Sequence, residues 1–443
     1  MEGAADRHVA DKALIVAPFW RDRGHIGAYR VASFLRWLNA VGVGCDVVCS
    51  APADAVVQHD WGRELCVRDP LRLSWQSQTD AGERDRAPTG AVGHGRPAGG
   101  GTRVPRFVRQ WGSRALSALL APDNEVLWAR RVARHPLVLD TTASFVISSN
   151  PPESSHIAAA RLADRLGARL VVDMRDGWLD LPLRTQLAAS RLRQMREARL
   201  EASILRRAQV IFVTSPQWRA LLLGRLPELA GKVTLLTNGY LDRDAAAAAQ
   251  PRGPSGSPRP LTLVHAGRFT GSRPGRRARL LLAPLLDGLR DGGCGGTVQL
   301  LGDLAQADLD DVAALRAGYA ACGWNLAAEP GVPRAQLMQR LRASGGLLLL
   351  ALSEATLPLK LFEYIPARRP LLAVAPRDGA VWQVCASLPQ AFLLDVHASS
   401  VDVRVVRDFL AACQADEPEC LVPEAFTDAA RRDVFLGALG LAG

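Results

Sequence analysis

Nowhere does this 443-residue chain hold the roughly 18 consecutive apolar residues that a membrane-spanning helix requires. Its first 25 residues are charged, with apolar runs shorter than the core of a signal peptide, so a cytoplasmic protein is expected. The eight cysteines, at positions 45, 49, 66, 294, 322, 385, 413 and 420, include no C-x-x-C pair. Structural zinc and a disulfide framework are therefore not expected, and free thiols in a reducing compartment fit the pattern. No internal repeat of 20–50 residues is visible, which excludes a solenoid. Lysine is nearly absent: Lys12, Lys232 and Lys360 are the only three, and arginine supplies the rest of the basic residues.

What is present points to a globular protein of two domains, since 48% of the residues are apolar and the chain is too long for one core. The net charge is +10, and it is uneven: residues 1–250 hold 34 basic and 25 acidic residues, against 20 and 19 in the remainder. A basic N-terminal half suits an anionic partner, such as lipid headgroups, a phosphorylated acceptor or nucleic acid. An arginine-rich composition with scattered surface charge explains the same count.

Residues 12–19 read as a buried strand, 28–41 as a helix and 45–50 as a second strand, with Cys45 and Cys49 inside it. Continuous apolar strands alternating with helices are the mark of a parallel sheet covered on both faces. Residues 76–105 are rich in Gly, Pro, Arg and Asp and read as a mobile loop or insertion. Val104 to His135 mixes arginines with Trp111, Leu116, Leu119, Leu120, Leu127 and Trp128; it reads as an ordinary helix pair, or as a basic helix on an anionic membrane surface. The alternation resumes with strand 144–149, helix 154–167, strand 169–174, helix 186–208 and strands 209–214 and 233–236. Residues 250–260, after five alanines, are the clearest linker. A second run follows: strand 261–266, a helix to about 290, strand 297–301, helices 308–322 and 333–343, strand 346–352, helix 358–366, strand 370–374 and helix 378–387. Helices at 403–412 and 424–439 close the chain. The expected class is α/β, with two Rossmann-like doubly wound domains facing each other across a cleft. The first covers 1–244, the linker 245–260 and the second 261–402; the helices of 403–443 are free to pack back on the N-terminal domain. In such a protein a ligand belongs at the C-terminal ends of the strands.

Five stretches carry candidate chemistry. Gly24-His-Ile-Gly27 follows the first strand; glycines there let backbone approach a phosphate or sugar, or simply make a turn, and the pattern is not G-x-G-x-x-G. Ser148-Ser-Asn-Pro-Pro-Glu-Ser-Ser-His156 straddles a strand end and a helix start, where Ser154 or Ser155 can cap the helix. His156 in the first turn is either a ligand-polarising group or a surface histidine. Asp173-Met-Arg-Asp-Gly-Trp178 ends the next strand; its carboxylates suit sugar hydroxyls, unless one of them simply holds Arg175. His265-Ala-Gly-Arg-Phe-Thr-Gly-Ser-Arg-Pro-Gly275 offers Gly267 for close approach and Arg268 and Arg273 for a diphosphate, or is a solvated basic loop. Thr356 to Pro370 follows the apolar run 345–352. Pro358 suits the first helical position, and Lys360 and Glu363, three apart, share one face of that helix.

Together these stretches, with Asn238-Gly-Tyr240, resemble glycosyltransferases of the two-Rossmann GT-B type, specifically the retaining family 4 (group 1). The resemblance spans residues 12 to about 395. It implies that the second domain binds a nucleoside-diphosphate sugar and the first binds a glycan, lipid-linked or small-molecule acceptor, in polysaccharide or glycoconjugate synthesis. By resemblance, Arg268 and Lys360 would hold the diphosphate beside Gly267 and Leu361, and Glu363 would bind the ribose. Gly27 would approach the donor from the opposite wall, and His156 would lie near the transferred sugar. Asp173, Arg175 and Asp176 would face the acceptor. Arg268, Lys360 and His156 are then the catalytic candidates. No metal and no other cofactor is expected, and the leaving diphosphate would be stabilised by the cation pair. One position departs from the pattern: Ala355 stands where many members place a glutamate, next to Glu354. The competing readings are a nucleotide-sugar epimerase on the same fold and a non-catalytic binding relative. A peripheral place on an anionic membrane inner face fits the basic half, whereas nucleic-acid binding explains the charge and none of the motifs.

Overall fold

The structure is a computed structural model that describes residues 12–22, 26–69, 121–180, 191–240, 261–269, 277–290, 295–415 and 419–441. The expected insertion at 76–105, the linker at 245–260, Gly24, His25 and Arg273 lie outside the described residues, as do residues 104–120 of the arginine-rich stretch. Contacts divide the chain into two compact units. The first holds Met1–Phe212, Leu226–Thr234 and Leu436–Gly443; the second holds Val213–Arg225 and Leu235–Phe435.

The first sheet begins with β1 (Lys12–Val16), followed by helix α1 (Ile26–Ala40), β2 (Gly44–Ala51), β3 (Ala55–His59) and β4 (Gly62–Arg68). Helices α2 (Val126–Val132) and α3 (Pro136–Leu139) lead to β5 (Phe145–Ser149), α4 (Ser154–Leu166), β6 (Arg169–Met174), α5 (Arg191–Arg207) and β7 (Val210–Val213). Then come α6 (Pro216–Arg225) and β8 (Val233–Leu235). Strand order is β3-β4-β2-β1-β5-β6-β7-β8. The central strands Ala13–Val16 and Phe145–Ile147 are buried throughout, as a sheet covered on both faces demands. β1 pairs in parallel with β2 on one side and β5 on the other, so the chain leaves β1 in both directions and opens a crevice at its C-terminal end.

The β3–β4 hairpin is absent from the sequence reading. β3 is exposed along its whole length, so it has no apolar signature, and it pairs antiparallel at the sheet's edge. Gly62 closes its turn at φ +137°, where a Cβ would run into the Cys45 carbonyl. The arginine-rich stretch, as far as it is described, is an inward-packing helix pair. Trp128 is buried and donates its indole N–H to the Val67 carbonyl at 3.1 Å, so it is not a membrane anchor.

The second sheet contains β9 (Leu261–Ala266), α7 (Arg279–Leu289), β10 (Gly296–Leu301), α8 (Gln306–Ala321), β11 (Trp324–Glu329), α9 (Arg334–Ala343) and β12 (Gly346–Leu350). Helix α10 (Leu359–Tyr364), β13 (Leu371–Ala375), α11 (Ala380–Ala386), β14 (Ala391–Asp395), α12 (Val403–Gln414) and α13 (Asp428–Leu439) complete the chain. Every pairing is parallel, in the order β11-β10-β9-β12-β13-β14. That is the doubly wound order, with its crevice between the C-terminal ends of β9 and β12. Leu347 and Leu349 enter the core on one face of β12, while Leu348 and Leu350 enter the core on the other. β11 and β14, which the sequence reading omitted, are the two edges. The closing helices divide: Val406, Phe409 and Leu410 of α12 join the second unit's core, and Arg169 of the first unit donates to the Leu439 carbonyl of α13.

Candidate active site

In the second unit, the chain leaves β9 as His265-Ala-Gly-Arg268 at the mouth of the crevice. Gly267 turns at φ +91°, and a Cβ there would sit 3.3 Å from the Lys360 ammonium nitrogen. Lys360 comes from α10, beyond β12, so the two motifs meet at the point where the strand order reverses. His265 is wholly buried, its ring stacked on Phe269 at 4.0 Å. Its Nδ1 lies 2.9 Å from the Leu348 carbonyl, an acceptor only, so Nδ1 carries the proton. Nε2 is left with its lone pair 3.5 Å from Lys360 Nζ, which donates to it. A neutral imidazole therefore steers an ammonium group over a bare glycine, where an anion can approach closely.

The rest of α10 supports that placement. Tyr364 is buried, and its hydroxyl accepts from the Ala266 amide at 2.7 Å, tying the helix to the end of β9. Leu361 lies wholly in the core, and its amide donates to the Pro358 carbonyl at 3.0 Å; it seats the helix and offers the crevice no side chain. Pro358 is the N-cap in extended geometry (φ −69°, ψ 144°), one position earlier than expected, because the helix starts at Leu359. Glu363 pairs with Arg334 of α9 at 3.4 Å. Arg268 is two-thirds exposed and pairs with the equally exposed Asp303 at 3.0 Å. Such surface pairs contribute about 0–1 kcal/mol, so an incoming anion displaces Asp303 at little cost.

Around Ala355 the Ser353 hydroxyl accepts from the amides of Ala355 (3.3 Å) and Thr356 (3.1 Å). The Ala355 carbonyl accepts from the Ser215 hydroxyl at 2.5 Å. Ala355 is buried and its neighbour Glu354 is exposed, so an acid at 354 does not occupy the place of one at 355. Asn238-Gly-Tyr240 is an anchor. Asn238 donates to the Leu357 carbonyl at 3.2 Å, and Tyr240 is buried with its hydroxyl on the Pro423 carbonyl.

In the first unit, a shallow concavity opens at the C-terminal ends of β1 and β5, lined by Pro18, Phe19, Trp20, Gly27, Ser149 and Pro151 among others. Gly27 is thus at the unit's own switch point. Two expected ligand contacts prove to be internal. Asp173 is wholly buried, with both carboxylate oxygens taken: Arg30 Nε and Nη2 each donate at 2.7 Å, and the Ser149 hydroxyl donates at 2.7 Å. Its hydrogen-bonded partner is Arg30 of α1, and the pair is buried inside the first unit. His156 is also fully buried. Its Nδ1 is 2.8 Å from the Ser148 hydroxyl, and Nε2 has no hydrogen-bond partner among the described residues. Burial holds its pKa down to about 4, against a smaller upward pull from Asp173, so the ring is neutral at pH 7. Of the trio at the end of β6, Arg175 is buried, which pulls its guanidinium down, and only Asp176 keeps a partly accessible side chain. The helix cap also differs from expectation: Glu153 is the N-cap without a side-chain bond, and Asp123 accepts from the Ser154 amide at 2.8 Å.

No curated protein is close enough in sequence to count as a relative. The family model described as the glycosyl transferase 4-like domain matches residues 27–239. Among solved structures, the chain is similar to the sucrose-phosphate synthase of Thermosynechococcus elongatus, with TM-score 0.53 and 15% identity over 98% of this chain and 94% of that one. It is also similar to the UDP-forming α,α-trehalose-phosphate synthase of Burkholderia vietnamiensis, with TM-score 0.56 and 13% identity over 98% and 94%. A third likeness is to the lipopolysaccharide outer core galactosyltransferase WaaB, with TM-score 0.54 and 13% identity over 97% and 99%. At these identities the structural likeness speaks for the fold, and the family match speaks for the first half. Residues 27–239 match the glycosyl transferase 4-like domain, and the chain has the GT-B fold.

Proposed function

We propose that the second unit binds a nucleoside-diphosphate sugar between the ends of β9 and β12, and that the chain transfers the sugar with retention to a glycan, lipid-linked or small-molecule acceptor. The observation that carries this reading is the Lys360 ammonium steered over Gly267 by a buried neutral histidine. A diphosphate lying on the bare backbone of Gly267 meets Lys360 on one side and Arg268 on the other. As the glycosidic bond lengthens, negative charge grows on the leaving phosphate, and both cations gain interaction strength at that moment. With two cations in place, the leaving group needs no metal. Glu363 accepts hydrogen bonds from the ribose, sharing its carboxylate with Arg334. The acceptor lies against the concavity beside Gly27, with Asp176 the acidic group within its reach. UDP is the first nucleotide to try, because one structural neighbour is described as UDP-forming.

Lys360→Ala should lower sugar transfer at least about a hundredfold, the usual effect of removing one donor to a developing anion. Glu363→Ala should weaken donor binding about tenfold or more, through loss of hydrogen bonds to a charged acceptor. Both are read by nucleoside-diphosphate release with the acceptor present. Wild-type turnover in Lys360→Ala would remove the donor site, and sugar conversion without any acceptor would make the enzyme an epimerase. The charge excess of the first half extends the proposal to a peripheral contact with anionic lipid. Co-sedimentation with phosphatidylserine vesicles should then fall steeply as salt is raised from 50 to about 500 mM; binding that ignores salt, or is absent, overturns this contact.

A further inference from the structure

β2 and β4 lie side by side in parallel with Cys49 directly opposite Cys66. Glu64 stands two residues before Cys66 on the same strand, and the pleat returns every second side chain to the same face. Three donor atoms from two neighbouring strands therefore converge. Cys49 Sγ and Cys66 Sγ are 3.9 Å apart, and Glu64 Oε1 lies 3.5 Å from the first and 3.4 Å from the second. The two cysteines and the glutamate are all buried. A tetrahedral zinc shell with metal–sulfur distances of about 2.3 Å and metal–oxygen distances of about 2.1 Å places neighbouring donors about 3.5–3.8 Å apart. The triangle's edges, 3.9, 3.5 and 3.4 Å, are close to those values.

We infer that Cys49, Cys66 and Glu64 form a binding site for one thiophilic divalent cation of the zinc class, separate from the transfer site. The surroundings fit such an ion. Arg21 Nε is 3.0 Å from Glu64 Oε1, and two thiolates, one carboxylate, a dication and Arg21 sum to zero charge. His59 Nε2 lies 3.3 Å from the other carboxylate oxygen, the outer partner that orients a ligating carboxylate. The His59 and Arg21 side chains are 34% and 46% exposed, which gives an ion a way in along the hairpin edge. A cation takes the place of the thiol protons, so binding must release them. A disulfide accounts for the sulfur pair but not for a carboxylate oxygen equidistant from both sulfurs. Trp20 packs on this cluster and also lines the concavity beside Gly27, so occupancy stiffens the turn after β1. That last consequence rests on the acceptor reading above, whereas the binding itself does not.

The test uses the full chain, stripped with a chelator under reductant, and Zn²⁺ alone. Calorimetry in buffers of different ionisation enthalpy should show one Zn²⁺ per chain with release of about two protons. Co²⁺ should give a thiolate-to-metal charge-transfer absorption in the unaltered protein. Cys49→Ser and Cys66→Ser should each weaken Zn²⁺ at least about a hundredfold, the upper end of what loss of an outer partner costs, and Glu64→Gln about tenfold. Cys322→Ser, on another element, should change nothing, and circular dichroism checks that each variant folds. Absence of the cobalt–thiolate absorption in the unaltered protein overturns the site. So does equal Zn²⁺ affinity in all four variants, or a Cys49–Cys66 disulfide that persists in excess glutathione and leaves no binding.

Discussion

His265 has no freedom of its own: a carbonyl fixes its proton, a phenyl ring fixes its plane, and what remains is one lone pair aimed at Lys360. Lys360 and the histidine that orients it stand 95 positions apart, a pairing that no local sequence pattern displays. Lys360 stood out because the chain uses arginine nearly everywhere else, and a compact ammonium over a glycine is a place where a branched guanidinium does not fit as well. Asp173 shows the reverse. Its position at a strand end, among charges, looked like a place for ligand contact, yet a buried arginine fills both its oxygens. Asp173→Asn should therefore destabilise the protein by about 3–5 kcal/mol, the cost of stranding one half of a buried ion pair. Urea unfolding measures it. Unchanged stability combined with lost transfer would return Asp173 to the acceptor.

At the scale of elements, the first turn of α4 carries a titratable group in a place that water does not reach. His156 has a pKa of about 4 in the folded protein against about 6.5 unfolded, so between those values the unfolded chain binds more protons. Stability from this residue is complete above pH 6.5 and is lost as the pH falls toward 4, by about 3 kcal/mol. Between pH 7 and pH 4 the unfolding free energy of His156→Asn should fall by that much less than the wild type's. Equal losses would mean that the ring is solvated. The strands legible in the sequence were those buried on both faces, Leu-Ile-Val in β1 and Leu-Leu-Leu-Leu in β12, because continuous apolar runs have one explanation. The strands that were missed are edges. Ala-Val-Val-Gln-His in β3 is exposed throughout, and β11 and β14 bury only part of their lengths, so hydrophobic pattern carries little of their signal. The Cys49–Glu64–Cys66 cluster was hidden for the same reason. It exists only because the overlooked hairpin puts β4 beside β2.

At the scale of the whole molecule, each unit has its own strand reversal, and each candidate binding surface lies at one of them: Gly267 and Lys360 in the second, Gly27 and the concavity in the first. Motif order along the chain was enough to place these, since parallel strands alternating with helices deliver every loop that follows a strand to the same end of its sheet. The basic excess of the first half belongs to this scale as well, because net charge is a property of a whole surface. The proposed donor site holds a nucleoside diphosphate through Lys360. Isothermal titration of UDP, then GDP and ADP, into the full chain and into Lys360→Ala tests it most directly. One diphosphate should bind per chain, with affinity about ten- to a hundredfold weaker in the variant, the worth of one charge-assisted contact. Equal affinity in both proteins, or no binding of any of the three, would contradict it.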